Sequence, residues 1–471
     1  MRRRSVVLSF CLLALIGSVV ADNTTATLSN GPPSSAQPLT STHLSFSIEQ
    51  DRWPDWVGTT ERNQFTFNAL TNLESLTGSP PKIRVGANSE DHTTWSPTVT
   101  INEDEFPPPS SITPYPEATK ITVGDGYYRL VKFLPRGTQM TWGVNLGADN
   151  ATNAVNMAKS ILRAFASPEV KESGNEADLY GNNGLRNPAN WTEADYVADW
   201  SAVAGAVVEA TGIQGGSGVG IQGCAFAGQG FTPSGVFNLG ILSTTAGKVI
   251  KQISQHRYSG AFCSGGNFAL ASFMSKDSVR SNLTVFSSDV EATIQKGFPY
   301  VLGETNSIAC HGAPGIQPIS LNRSTVDGTP LNPPQPALVQ PAYYAAILVS
   351  HAIGKTGSAQ ISEIDISEPN VSGYAIYEHG TLKRAVFINL NAWLTSSTGT
   401  RPSVHISFAG LKGSSSATVS RLAINHADDI ANLTFAGQSY ETPDALVSGQ
   451  QVVQKIKLSN GVDISSTGDF D

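Results

Sequence analysis

Two short segments hold the residues best suited to chemistry: Gly174-Asn175-Glu176-Ala177-Asp178-Leu179-Tyr180 and Val301-Leu302-Gly303-Glu304-Thr305-Asn306-Ser307. Glu304 closes an apolar run that reads as a strand, and the C-terminal ends of strands are where (β/α)8 barrels keep their active sites. The two glutamates lie 128 positions apart. Three βα units fill that interval, which suits strands four and seven, whose ends lie across the barrel mouth. Paired carboxylates there can hydrolyse a glycosidic bond. One protonates the leaving oxygen while the other attacks the anomeric carbon, and in retaining enzymes the two sit ~5–5.5 Å apart. Asn175, directly before the acid, can hydrogen-bond the sugar 2-hydroxyl, a contact that tightens in the transition state. Asn-Glu and Gly-Glu are common dipeptides, so the weight rests on their spacing and on the fold.

The elements that would position them alternate between strand and helix. Strand-like segments are 44–48, 82–86, 139–145, 219–226, 249–254 and 300–303. Helical spacing of apolar residues runs through 63–76, 151–165, 194–210 and 340–353. Such alternation predicts a parallel sheet, and this many units predict a (β/α)8 barrel over 43–355. Two places break the rhythm. A fourth strand should precede Glu176, yet 169–174 offers one apolar residue, Val170. An eighth should precede the 340–353 helix, yet 316–339 is rich in Pro, Ser and Asn. The expected barrel is therefore incomplete, with strands four and eight poorly represented, and a barrel short of staves exposes strand edges. After the last helix the period changes to two. A hairpin over 373–390, turning at His379-Gly380, and strands at 403–408, 417–424 and 451–458 predict an all-β sandwich over 356–471, joined by 22–42.

Composition limits the rest. The chain has 471 residues, 14 % charged, with net charge −8, which gives nucleic acid no electrostatic reason to bind. Arg2, Arg3 and Arg4, an apolar run from Val6 to Val20 and a Val19-x-Ala21 site predict a signal peptide over 1–21, hence a secreted protein with no membrane span after cleavage. Asn-x-Ser/Thr sequons at Asn23, Asn150, Asn190, Asn282, Asn322, Asn370 and Asn432 then become candidate glycan sites. The mature chain keeps Cys224, Cys263 and Cys310, enough for one disulfide and a spare thiol, so a hydrophobic core must hold the fold. CxxC and HExxH patterns are missing, and neither metal nor cofactor is expected. His256 and Tyr258, two apart on one predicted strand, face the same side and are read as pocket lining. His92, His351 and His405 are read as structural or surface residues.

At these positions the sequence resembles glycoside hydrolase family 79 of clan A, which holds β-glucuronidases and heparanase, and most closely its fungal secreted members. The likeness runs through 46–50, 84–88, 175–180, 256–260 and the Glu304 segment, and covers most of 22–471. It implies a (β/α)8 barrel carrying a β-sandwich built from both chain ends, and a retaining hydrolase acting on a glucuronide or oligosaccharide. By the same resemblance Glu176 is the acid/base and Glu304 the nucleophile. Glu49 and Asn88 would contact sugar hydroxyls, and Tyr258 would touch the nucleophile with His256 beside it. The loop carrying His311 and Gly312 would offer N–H groups to a uronate carboxylate. Family members also carry an apolar strand before Asn-Glu, and a helix and an eighth strand after the Glu304 loop. Both are lacking at the joins 171–173 and 315–317, where the strand count also falls short. A clan A exo-glycosidase for neutral sugars, or an inactive sugar-binding or truncated homologue, are the alternatives.

Overall fold

The computed structural model describes residues 22–111, 113, 116–165, 170–228, 230–262, 270–309, 316–317, 336–412 and 416–466. The predicted signal segment, Cys263, Cys310, His311, Gly312 and Asn322 lie outside them. Seven strands form one sheet: β1 (Ser45–Glu49), β2 (Lys82–Gly86), β3 (Met140–Val144), β4 (Val170–Ser173), β5 (Gly220–Phe226), β6 (Ile250–Ala261) and β7 (Tyr300–Ala309). Each pairs in parallel with its neighbours in chain order. Sequential parallel strands with helical crossovers give the curl of a β/α barrel.

The helices form where sequence periodicity and caps agree. Asn63 caps Gln64–Thr77 by accepting from Thr66 N–H, and Gly78 ends it in the left-handed region at φ 78°. Thr192 and Asp195 make a reciprocal capping box before Glu193–Thr211. Pro341 opens Pro341–Ile353 at the first turn, where its missing N–H costs nothing. Under the sheet, Trp142 meets Trp53, Tyr127 and Tyr128 with ring centroids 5.2–5.8 Å apart. All four rings are buried, and their edge-on and tilted contacts pack β3 against the helices Trp53–Val57 and Asp125–Arg129.

The structure corrects the expectation for strand four. β4 is present, bonded to β3 on one side and β5 on the other, so Asn175 and Glu176 follow it directly. Backbone pairing with two neighbours makes a strand where side-chain alternation gave no signal. The segment expected to lack strand eight, 316–339, lies mostly outside the described residues; of it, Ile316–Gln317 pairs with Leu338–Val339, and among the described residues the sheet ends at β7 and β1. A further element was not read from the sequence. Between β2 and β3 the chain builds a three-stranded sheet from Thr93–Trp95, Asn102–Glu105 and Lys120–Val123, and the loop before its last strand brings Glu117 to Asn88.

Beyond the last helix lie β8 (Ala359–Ile364), β9 (Val371–Glu378), β10 (Thr381–Asn389), β11 (Ser403–Ala409) and β12 (Val462–Ser465). The β9–β10 hairpin turns on His379 and Gly380, both at positive φ (50° and 76°), as a two-residue primed turn requires. The predicted 417–424 strand is split, Ser416–Val419 pairing with Gln454–Lys457 and Leu422–Ala423 with Thr434–Phe435. The N-terminal segment joins these sheets: Asp22–Thr27 runs parallel to β11, and Gln37–Pro38 pairs with β8. Its Ala26 and Leu28 are buried against Val371, Phe387, Ile406 and Ile464.

Candidate active site

β2 puts Arg84 in the barrel interior. Its neighbours Ile83 and Val85 are apolar, so the guanidinium enters a low-dielectric space and needs partners. It finds them on two strands and a loop. Nη1 donates to Ser47 Oγ on β1 (2.9 Å) and to Glu304 Oε1 on β7 (2.5 Å), and Nη2 donates to Asn175 Oδ1 after β4 (2.9 Å). Glu90, fully buried, stands 3.8 Å from Nη2 on the other side.

Glu304 sits within β7, not at its end, since that strand continues to Ala309. Tyr258 on β6 donates to its second carboxylate oxygen at 2.7 Å. The register opposite β7 shifts between Gln255 and His256, and this bulge brings His256 alongside Glu304. His256 Nδ1 lies 3.0 Å from Glu176 Oε1 and 3.8 Å from Glu304 Oε1. One oxygen from each glutamate and this nitrogen all fall within 4.8 Å of one another. Gly303 makes room for the arrangement, because a Cβ there would collide with Ser254 Oγ and stand 3.1 Å from His256 Nε2.

The electrostatics single out Glu304. Burial alone would raise the Glu304 pKa. The His256 and Arg84 charges and the hydrogen bonds from Tyr258 and Arg84 outweigh it and hold the carboxyl at about 2. Burial works against the His256 imidazolium, yet Glu304 and the hydrogen bond to Glu176 raise its pKa above the ordinary histidine value. Burial and the Glu304 charge push the Tyr258 phenol up, so it stays a donor. Glu176, His256 and Glu304 are close enough to hold a cation, and the same atoms are already engaged, His256 Nδ1 with Glu176 and Glu304 with Arg84.

Two of the predicted sugar contacts, Glu49 and Asn88, lie at the end of β1 and in the turn after β2; the 311–312 loop lies outside the described residues. Glu49, at the end of β1, accepts from Ser89 N–H (2.9 Å) and Ser89 Oγ (2.5 Å). Burial and the carboxylates of Glu117, Asp51 and Glu304 raise its pKa well above the usual range. Asn88 is exposed and donates to Glu117 Oε2 at 2.7 Å. Glu117 comes from the inserted sheet, its loop pinned by Ala118 N–H on Asp51 (2.8 Å) and by Arg52 on Pro116 O (2.6 Å). Of the structural histidines, His351 packs edge-on to Phe435 at 5.3 Å and His405 lies 2.7 Å from Asp463. Cys224 is a free, buried thiol. Arg84, Glu117 and Ser47 were given no role from the sequence. A lone arginine between apolar residues in a strand was the available sign for the first. Nothing local marked the other two.

Residues 373–468 match the family model described as the glycosyl hydrolase family 79 C-terminal β domain. A β-glucuronidase of Aspergillus niger is 27 % identical over 503 aligned positions, covering 93 % of this chain and 90 % of its own. A β-glucuronidase of Neurospora crassa is 25 % identical over 496, covering 86 % and 85 %. Alignments longer than the chain itself mean that dozens of positions in these relatives have no counterpart here. Among solved structures, a 4-O-α-L-rhamnosyl-β-D-glucuronidase from Fusarium oxysporum 12S superposes with a TM-score of 0.76 at 21 % identity, covering 95 % of this chain and 99 % of its own. A family 51 α-L-arabinofuranosidase from Bifidobacterium longum superposes at 0.55 and 15 %, covering 95 % and 99 %.

Proposed function

We propose that the chain is a family 79 glycoside hydrolase, a reading supported by its C-terminal domain and its relatives, and that it cleaves β-linked glucuronides by double displacement, with Glu304 as nucleophile and Glu176 as acid/base. The observation that carries this reading is the pair of carboxylates within 4.8 Å of each other, with the Glu304 carboxyl held at about 2 by His256, Arg84 and Tyr258. That spacing leaves no room for a water between the second carboxylate and the anomeric carbon, which favours retention over inversion. An oxygen of Glu304 attacks the anomeric carbon as Glu176 gives its proton to the departing glycosidic oxygen. Water then adds to the glycosyl-enzyme, surrendering its proton to Glu176, and the sugar leaves with its original configuration. Asn175, whose carbonyl faces Arg84, turns its amide N–H groups to the 2-hydroxyl. Glu49 and Asn88 serve the remaining hydroxyls, and the 311–312 loop the uronate.

Residues 43–355 form the catalytic unit in this reading, and 22–42 with 356–471 the β-sandwich that buttresses it. The chain is secreted once 1–21 is removed, with glycans on its surface sequons. Among the described residues no helix is long and apolar enough to cross a membrane.

Labelling with a glucurono-configured cyclitol aziridine, followed by peptide mass spectrometry, tests the assignment. The label is expected on Glu304 and lost in Glu304→Gln. Aryl glucuronide is expected to turn over well ahead of aryl glucoside or galactoside. A label on another residue sinks the nucleophile assignment, and a preference for the neutral glycosides sinks the substrate.

A further inference from the structure

Asp91, seven residues beyond Arg84, touches neither glutamate, yet its carboxylate ties three barrel loops together. It lies in the short turn after β2 and is 4 % exposed. Oδ1 accepts from the backbone N–H groups of Leu146 (3.1 Å) and Gly147 (2.9 Å), both in the loop after β3. Oδ2 accepts from Asn175 N–H (3.2 Å) and Tyr180 OH (2.6 Å), both in the loop after β4. Three of the four partners are backbone N–H groups that can only donate, at least one on each oxygen, so an amide here would set its own NH2 against a donor, and these bonds oppose the burial that raises the Asp91 carboxyl to about 6.

The segment that Asp91 holds is under strain. Glu176 sits in the left-handed region at φ 46°, ψ 47°, which an L side chain adopts only when its surroundings impose it. Gly174 before it has φ 83°, and a Cβ there would stand 2.7 Å from Leu146 and 2.9 Å from the Tyr180 hydroxyl. On the far side Glu176 N–H donates to Ala225 O (2.9 Å) from a bulge in β5, where Cys224 and Ala225 also have positive φ. The backbone of 174–176 is thus clamped between Asp91 and the β5 bulge. Release of one clamp lets 174–176 relax toward an ordinary conformation and swings the carboxyl of residue 176 off the glycosidic oxygen. Misplacement of about an ångström is enough to cost a large factor in rate.

We propose that Asp91 is a positioning residue for the acid/base, fixing the Asn175–Glu176 backbone so that the Glu176 proton is aimed at the leaving oxygen. The proposal rests on the reading of Glu176 as the acid/base. It predicts a specific kinetic signature, because a misaimed acid harms only substrates whose departure needs protonation.

The test compares wild type, Asp91→Asn, Tyr180→Phe and Glu176→Gln on aryl β-glucuronides from phenyl to 2,4-dinitrophenyl, with the rate of aziridine labelling of Glu304 followed in parallel. Asp91→Asn is expected to lose about tenfold or more in kcat/KM on phenyl glucuronide and less than about twofold on the dinitrophenyl substrate. Its labelling rate stays within about twofold. Tyr180→Phe, which removes a single donor and keeps its ring stack on Trp191, shows the same slope at smaller size. An equal loss across all leaving groups, or none, overturns the proposal, and if Asp91→Asn fails to fold, a flat profile for Tyr180→Phe does so. A leaving-group slope in Glu176→Gln but not in the other two leaves the acid/base reading standing and removes this one. A flat Glu176→Gln profile removes both.

Discussion

Arg84 organises the residues that carry charge. Its hydrogen bonds to Ser47, Glu304 and Asn175 join β1, β7 and the loop after β4, so a single guanidinium sets the nucleophile against the residue beside the acid. Arginine suits this task because its planar fork offers several donors in fixed directions. Tyr258 completes the enclosure of Glu304 from β6. The pH behaviour follows from these contacts. The folded pKa of Glu304, about 2, lies below its ordinary 4.5. Its contribution to stability is therefore complete above 4.5 and lost as pH falls toward 2. His256 runs the other way. Its raised pKa gives stability that is complete below about 6.5 and lost as pH rises through the higher folded value. Activity is expected on the acidic side of neutrality, where Glu304 is ionised and His256 still charged. Tyr258→Phe removes one of the bonds that hold the Glu304 carboxylate ionised. It should shift the acid limb of kcat/KM upward and lower the plateau about tenfold or more, as pH–rate profiles would record. An acid limb that does not move would mean that the phenol has no part in keeping the carboxylate charged.

Helices and strands explain why some of this was legible and some not. The helices Gln64–Thr77, Ala151–Ala164 and Glu193–Thr211 could be read within a residue or two, because amphipathic spacing and Asn or Thr caps agree with their tertiary setting. The β9–β10 hairpin was equally plain from His379-Gly380. Glu176, Glu304, His256 and Tyr258 stood out because each is a polar residue next to a strand pattern. β4 escaped, since its pairing partners lie dozens of residues away in sequence and its own residues do not alternate. The inserted sheet escaped for a related reason: strands of three and four residues carry too few side chains for a period to show. Asp91 gave no sign, because its role is to accept from backbone N–H groups that any sequence has. A glycine on β7 allows a test at this scale. Gly303→Ala forces a methyl against Ser254 and His256, so His256 must move from between the glutamates. Calorimetry should register a loss of about 1–3 kcal/mol, with kcat/KM falling about tenfold or more. Gly205 in the helix Glu193–Thr211 has nothing within 4 Å of a new Cβ. Gly205→Ala should stabilise by about 0.5–1 kcal/mol with unchanged kinetics, which separates a helix effect from a pocket effect. Full activity in Gly303→Ala would show that the placement of His256 is not set by that strand.

The whole molecule is held at two levels that differ in completeness. The C-terminal sheets take in the N-terminal segment, Asp22–Thr27 beside β11 and Gln37–Pro38 beside β8, and Leu39, Ala352, Ile353, Ala359, Ile376 and Val386 form a core that joins β8, β9 and β10 to the last barrel helix. The barrel sheet does not close among the described residues, for β7 is bonded only to β6 and β1 only to β2. In a closed barrel both would be flanked on each side and no edge would remain. The relatives carry dozens of positions that have no counterpart in this chain. A seam between β1 and β7 matters for chemistry, because Ser47 stands on one side and Glu304 on the other, with Arg84 reaching to both. Hydrogen exchange measures that seam directly. An amide with no partner across the seam exchanges through local fluctuation, whereas one bonded within the sheet waits for a larger opening. Outward amides of Ser45–Glu49 and Tyr300–Ala309 should therefore exchange on the order of tenfold or more faster than those of Lys82–Gly86 and Gly220–Phe226. Adding a tight-binding glucuronide analogue should slow the inner amides near Glu304 and leave the outward ones fast, since the sugar fills the mouth and not the seam. Equal protection of edge and interior strands would show that an eighth stave closes the sheet in solution, and the two edges would then be those of a complete barrel.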